Sequence, residues 1–490
     1  MNRGLDKVYD VVIIGAGPSG LSLAQCISQL NKKVLIIDKE NVIGGCHSVR
    51  RVNTLFTEHG PRIYSETYTV FIDLLKEMGV DFHDLFVKYN FSITEIGGET
   101  IFSVLSWGEL LRLSFEFMKL MVNDYHGLNT ILKDYLYDNK FKEESIEMID
   151  RVCKLTDGGG IDKYTLHEFL QLFNQQFFYS LYQPKYPNDV GLFKIWREFL
   201  EKRNVDFYLG SDIKHININN DEIVSITLNP LETVYGKHYV MAIPPKNLLE
   251  MVDKFKIQHS WGNLREYALE TAYIDYIPVA FHWNTALNLN KIYGFPKSSW
   301  GIAFIVLTDY MSFNEPESKT VITTAVTIND KKSPNNKKTA NECEPNELID
   351  EIFLQLKEAY PDLPMPTKSI ISPGVYYDIH LKKWISKDTA FILTSNKGFL
   401  PFENNKIKNM YNLGTHNGKS FYKFTSMESS VSNAVMLSKK IYPELNDKRY
   451  IKLTRTTSLS DIFDIIIIVL IIILIYYSMI NGKFKRFRFR

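Results

Sequence analysis

The run Val11-Val12-Ile13-Ile14-Gly15-Ala16-Gly17-Pro18-Ser19-Gly20 constrains this chain more than any other feature. Four consecutive β-branched residues ending at a glycine describe a strand buried on both faces, as in a parallel sheet. Gly15 permits a tight turn off the strand, Gly17 lets the backbone approach a pyrophosphate, and Gly20 allows the following helix, Leu21 to Leu30, to sit close to the sheet. That helix offers free N–H groups and a partial positive charge to phosphates. A second strand, Val34 to Ile37, ends at Asp38, where a carboxylate can accept hydrogen bonds from a ribose diol. Glycines alone carry little information; strand, turn, helix, strand and acid in this order read as a dinucleotide site opening a doubly wound sheet.

A chain of 490 residues exceeds what one core organises, so at least two lobes are expected. Its 57 basic and 56 acidic residues give no global field for nucleic acid, and none is expected as a partner. Cys26, Cys46, Cys153 and Cys343 form no CxxC pair, which argues against a disulfide framework or a zinc site and fits a reducing compartment. Helical patterns from roughly 69 to 203 suggest a cap. Strand patterns return at Val205 to Leu209, Ile213 to Ile218, Ile223 to Leu228 and His238 to Ala242, then at Ile277 to Trp283, Ile302 to Leu307 and Val321 to Val326. Gly158-Gly159-Gly160 lacks a preceding strand and reads as a turn. The stretch Asp157 to Glu168 lacks the oxygen ligands of a calcium loop, so no metal is expected.

Directly after the acid comes Val42-Ile43-Gly44-Gly45, whose paired glycines let the chain wrap a pyrophosphate from its second side. This extended pattern resembles the flavin-containing amine oxidase superfamily, which includes amine oxidases, protoporphyrinogen oxidases and phytoene-type desaturases and, more distantly, UDP-galactopyranose mutases. Further blocks carry the resemblance. Glu58-His59-Gly60-Pro61-Arg62-Ile63-Tyr64 is similar to the family's second glycine loop. Gly191 to Leu200 and Val205 to Ile213 are similar to the helix and strand leading to an adenine-contacting position. Tyr239-Val240-Met241-Ala242-Ile243-Pro244-Pro245 matches a strand end, and Asn412-Leu413-Gly414-Thr415-His416 with Thr425-Ser426-Met427-Glu428 resembles the block that closes over the flavin ring and ribityl chain.

The resemblance implies FAD, and an α/β fold in which a Rossmann-like FAD-binding domain (8–85, 204–250 and 371–445) is interleaved with an α+β substrate domain (86–203 and 251–370). The implied cofactor contacts are Gly15, Ala16, Gly17, Pro18, Ser19, Gly20, Asp38, Lys39, Gly44, Gly45, Cys46, His47, Gly60, Pro61, Arg62, Ile63, Ile213, Ala242, Gly414, Thr415, Ser426 and Met427. Where amine oxidases have an arginine after the paired glycines this chain has Cys46, leaving Arg50, Arg51 or Arg62 to supply the charge. The lysine that monoamine oxidases hold near the flavin falls on Pro278, and no cysteine lies near the C-terminal block, so FAD is expected to be non-covalent. Candidates for the flavin face are Tyr422, His416, Arg62 and His59. Trp300 and Tyr310 are weaker candidates for the substrate lobe. The implied activity is an amine oxidase-like oxidoreductase: hydride passes from a small amine or an apolar, lipid-soluble substrate to flavin N5, with oxygen or a quinone as electron acceptor. Two alternatives stand beside it: a redox-neutral mutase acting on a sugar nucleotide, since Asn31 to Ser48 and Tyr64 to Leu75 also resemble the mutases, and a degenerate flavoprotein scaffold.

Residues 462–480 are apolar apart from Asp464 and Ser478, and as a helix would span roughly 28 Å, close to a bilayer core. A basic linker (446–461) precedes them and a basic tail (481–490) follows. The expectation is a single-pass, tail-anchored membrane protein, bound to a lipid bilayer through this transmembrane helix with its catalytic body in the cytosol.

Overall fold

The computed structural model describes residues 8–60, 62–89, 101–178, 180–230, 232–257, 261–290, 298–387, 389–390, 398–446 and 459–480. Pro61, most of the basic linker and the basic tail lie outside the described residues.

The apolar run at the N-terminus becomes β1 (Val8–Ile14), followed by α1 (Pro18–Ser28) and β2 (Val34–Asp38). Alternate residues of β1 serve two cores. Val11 and Ile13 pack with α1, while Val12 and Ile14 pack against the opposite layer, which is why the strand has no polar position. Pro18 in the first turn fits the fixed φ of a helix start. All eleven residues of α1 are buried between the sheet and the helix Met427–Ile441.

Seven strands form the first sheet, in the order Val205–Leu209, β2, β1, Glu232–Met241, Glu222–Asn229 and Asp212–Asn219, with Met410–Asn412 pairing beside Glu232–Met241. The strands around β1 are parallel, with Val11 opposite Val34 on one side and His238 on the other. The last two pairings are antiparallel. Chain order reverses at β1, so its C-terminal end is the switch point where open α/β sheets place their crevice.

The second sheet has four antiparallel strands, Ala303–Val306, Thr320–Val326, Ile277–Trp283 and Lys368–Ile371, with Pro278 opposite Ala325. The helix Pro345–Ala359 closes one face, burying Leu348, Ile352 and Leu356 against Phe281 and Phe304. A helical cap between residues 101 and 178 has its own core around Leu132, Ile149, Tyr164 and Phe169. The fold is thus the expected one: a mixed α/β molecule with a Rossmann-like unit and an apolar C-terminal helix, Leu459–Ile480.

The details differ in instructive places. The stretch 69–203 is not helical throughout: Tyr64–Ser65, Phe86–Lys88 and Leu181–Pro184 pair into a three-stranded sheet, and strands of two to four residues are too short to display a period. The helix Leu192–Lys202, inside the stretch assigned from sequence to the cap, buries Trp196 and Leu200 in the core shared with α1. Conversely, the hairpin Val375–Asp378 and Lys383–Ser386 buries Val375 and Trp384 with the second sheet.

Candidate functional site

At the end of β1 the backbone turns at Gly15 with φ 115°, and a Cβ there would lie 2.3 Å from the Ala242 carbonyl oxygen. The turn is held by Gly15 N donating to Ile37 O at 2.7 Å and Ala242 N donating to Ile14 O at 2.7 Å. Gly17 and Gly45 then face each other so closely that a Cβ on Gly45 would stand 3.2 Å from the Gly17 Cα. Gly44 N donates to Ala16 O at 2.8 Å and ties the Gly44–Gly45 turn to the first glycine loop. Asp38 closes the third side. Its carboxylate accepts Ala16 N at 2.7 Å and Glu40 N at 2.9 Å, and burial raises its pKa from the ordinary carboxylate value.

A cavity of about 450 Å³ opens over these groups. Of the residues singled out in the sequence, Gly15, Gly17, Pro18, Ser19, Asp38, Lys39, Gly45, Cys46, Ile213, Ala242, Gly414, Thr415 and His416 line it. Backbone loops, a helix N-terminus and a fixed acid, brought together by segments 15–46, 213, 242 and 414–416, suit an elongated, phosphate-bearing dinucleotide. Ser48, Arg50, Asn247, Lys254, Lys387 and Thr389 also line the cavity and were not singled out as contacts. Arg50 is one of the three arginines that can supply charge beside Cys46; Lys387 and Thr389 arrive just after the hairpin and belong to no motif, so only the fold reveals them. Among the three arginines, Arg51 is committed elsewhere, to Asp189 at 2.6 Å and to Glu315.

The C-terminal block is held by a buried polar network. His416 Nε2 contacts Asn412 Oδ1 at 2.8 Å, Asn417 donates to Leu400 O at 3.0 Å and to Asn412 Oδ1 at 2.8 Å, and Asn433 donates to Gly414 O at 2.9 Å. Burial lowers the His416 pKa to about 3, which leaves the ring neutral at physiological pH. Ser426 caps the helix Met427–Ile441, accepting Ser429 N at 3.0 Å, and Met427 is buried in the first core. Glu428 accepts Val70 N and Phe71 N, each at 3.0 Å, in the first turn of α2 (Thr69–Glu77). Burial outweighs these donors and raises its pKa to about 7.

A second polar cluster surrounds the loop 58–64. Arg62 donates to the Cys46 carbonyl, bridging the two glycine loops. His59 stacks on Tyr276 with centroids 5.9 Å apart, and Gly60 packs against the same ring. Tyr64 OH lies 3.4 Å from His47 Nδ1 and accepts from Asn188 at 3.3 Å. Glu58, buried beside Arg62 and Thr323, has its pKa raised to about 7 by burial. This loop therefore joins the first glycine cradle to the second sheet. Ile63 packs partly buried in a small apolar cluster with Phe56 and Val49.

Three aromatic candidates sit differently. Tyr422 does not line the cavity; it is buried in the first core, with ring centroids 6.2 Å from Tyr68, 5.3 Å from Phe421 and 5.4 Å from Phe424. Trp300 is a core residue of the second sheet, with Nε1 donating to Lys331 O at 3.0 Å, and Tyr310 packs edge-on to Tyr89 at 4.9 Å. Among the described residues, no group of three or more His, Cys, Asp or Glu is arranged to hold a metal ion.

Residues 13–78 match the family of NAD(P)-binding Rossmann-like domains. A UDP-galactopyranose mutase from Mycoplasma genitalium is 28% identical over 29% of this chain, and the match spans 39% of that relative's length. A putrescine oxidase bound to putrescine superposes with a TM-score of 0.64 at 12% identity, over 89% of this chain and 99% of that one. A candidate protoporphyrinogen oxidase from Exiguobacterium gives a TM-score of 0.56 at 14% identity, over 90% and 100%. The identities are low and the coverage nearly complete, so what is shared is architecture: this chain has the fold of these two oxidases, built on an NAD(P)-binding Rossmann-like domain.

Proposed function

We propose that the chain is an FAD-dependent oxidoreductase that takes a hydride from a small amine or an apolar, lipid-soluble substrate and passes the electrons to oxygen or a quinone. The observation that carries this reading is the convergence on one cavity of the Gly17–Gly45 clamp, Asp38 and the Gly414–His416 block, on the fold of putrescine oxidase. FAD, when bound, supplies a two-electron acceptor. The protein's own part is to hold it: the α1 N-terminus and the two glycine loops bind the pyrophosphate, Asp38 the ribose, Ile213 and Ala242 the adenine side, and residues 414–416 with the Met427 helix the ring end. Non-covalent binding is supported by the 410–430 block, which contains no cysteine to form a thioether. Arg62 acts here by joining the loops, and neutral His416 by hydrogen bonding. Tyr422 acts through the packing of its loop.

The C-terminal helix anchors the molecule. Asp461–Ser478 has a mean hydropathy of 2.5 and none of it is buried in the fold, which supports a single pass; the cytosolic placement of the body is part of the proposal. Purified protein mixed anaerobically with candidate amines and lipid-soluble reductants tests the redox reading: substrate-driven bleaching of the flavin is expected, and catalytic turnover of a substrate without bleaching would overturn it.

A second reading, a redox-neutral mutase on a sugar nucleotide, has the match to the Mycoplasma mutase in its favour. It predicts turnover of a sugar nucleotide that requires pre-reduced flavin and leaves its redox state unchanged.

A further inference from the structure

The helix Trp107–Val122 starts with a capping box, in which Glu109 accepts Ser106 N at 2.7 Å. Its inner side, through Leu110, Leu113, Phe117 and Leu120, packs into the core of the helical cap. The outer side is also apolar: Trp107 is 83% exposed, Leu111 58%, Phe115 58%, Met118 41% and Val122 57%. These positions recur at helical spacing along the whole helix, where a helix facing water carries polar residues.

Its charges are sorted as well. The two carboxylates turn inward: Glu109 is buried and accepts Lys142 N at 2.7 Å and Ser145 Oγ at 3.0 Å, while Glu116 takes Lys119 at 2.7 Å and His126 at 2.5 Å. The exposed polar residues left on the helix are Arg112, Ser114 and Lys119. An apolar stripe with an aromatic at its end and cations at its flank is the composition of a helix lying in the headgroup region of an anionic bilayer. A separate observation points to the same occupant. The C-terminal helix Leu459–Ile480 touches Trp107–Val122, which brings the exposed stripe next to the apolar span.

We infer that Trp107–Val122 is an in-plane membrane helix that lays its apolar stripe into the anionic leaflet beside the transmembrane segment. The inference rests on reading Leu459–Ile480 as that segment. It also brings lipid close to the Tyr422 loop. The in-plane helix packs on the helix Leu166–Phe178, whose Gln171 donates to Phe421 O at 3.2 Å and accepts Lys423 N at 2.8 Å. One helix therefore separates the bilayer from the loop that carries Tyr422, a suitable arrangement for a substrate that arrives from the membrane.

The test uses the full chain in phosphatidylcholine–phosphatidylserine vesicles, with a fluorophore on Phe115→Cys, on Ile471→Cys in the span, or on exposed Glu222→Cys as a water-facing reference. The unsubstituted chain gives the labelling background of the native cysteines. Acyl chains carrying doxyl groups should quench the label at 115 to within about twofold of that at 471, and leave 222 unaffected. Behaviour at 115 like that at 222 would overturn the inference. The label at 471 judges the span separately: quenching at 471 but not 115 removes only the in-plane helix, and quenching at neither removes both.

Discussion

Gly15 has no room for a side chain, since its φ of 115° and the Ala242 oxygen 2.3 Å from a Cβ oppose any substitution. Gly15→Ala should cost on the order of 1–3 kcal/mol in stability and yield protein with little bound flavin, seen together in a thermal melt and an absorption spectrum. Asp38 is fixed by two backbone donors, so Asp38→Ala should weaken FAD binding about 10- to 100-fold, the loss typical of hydrogen bonds to a charged group; titration of apoprotein with FAD measures it. Two buried acids give the fold a pH dependence. Burial raises Glu58 and Glu428 to about 7 from an ordinary 4.5, so the folded state prefers the neutral acids. Their stabilisation is full below the unfolded value and is lost as pH rises through the folded one, each worth on the order of 3 kcal/mol. The melting temperature should fall between about pH 5 and pH 8, and Glu58→Gln should flatten its part of that fall. The glycines and Asp38 were legible because turn geometry admits few residue types. Tyr422 was not, because an aromatic residue reads the same whether it lines a cavity or, as here, packs against Tyr68 and Phe424.

At the scale of elements, β1, α1 and β2 were readable because an uninterrupted apolar strand and a glycine turn leave little alternative. Most strands after residue 204 were readable from their apolar and β-branched patterns, but the four-residue strands Lys368–Ile371, Val375–Asp378 and Lys383–Ser386 were too short to show one. The sheet of Tyr64–Ser65, Phe86–Lys88 and Leu181–Pro184 was not, since its partners lie about a hundred residues apart and each is shorter than one period of evidence. The cavity wall was hidden for a related reason: Asn247 and Lys254 come from the helix Pro245–Lys254, and Lys387 and Thr389 join them only once the chain returns from the second sheet. The C-terminal helix is separable in function from the fold, because its surface is exposed rather than packed into a core. Deleting residues 459–490 should leave a folded, yellow protein that no longer needs detergent for extraction. Any membrane association that remains should be weaker and reversible, as expected of the in-plane helix; binding as tight as that of the full chain, measured by vesicle flotation, would show a second integral attachment.

The whole molecule combines a cofactor cradle at the switch point of one sheet, a second sheet reached through loop 58–64, and a helical cap that touches both the Tyr422 loop and the C-terminal helix. Nearly the full body superposes on a putrescine oxidase and on a candidate protoporphyrinogen oxidase, while a local sequence match goes to a mutase. The part of the chain that a family model recognises is the N-terminal Rossmann-like unit, and the substrate side is written in scattered packing residues that no motif records. The central claim is that this cradle holds FAD. Its most direct test is the absorption spectrum of the purified full chain, with the flavin released by denaturation and quantified against protein. The account predicts a flavin spectrum and stoichiometric FAD that separates freely from the denatured chain; a colourless protein that takes up no FAD when it is supplied would contradict it.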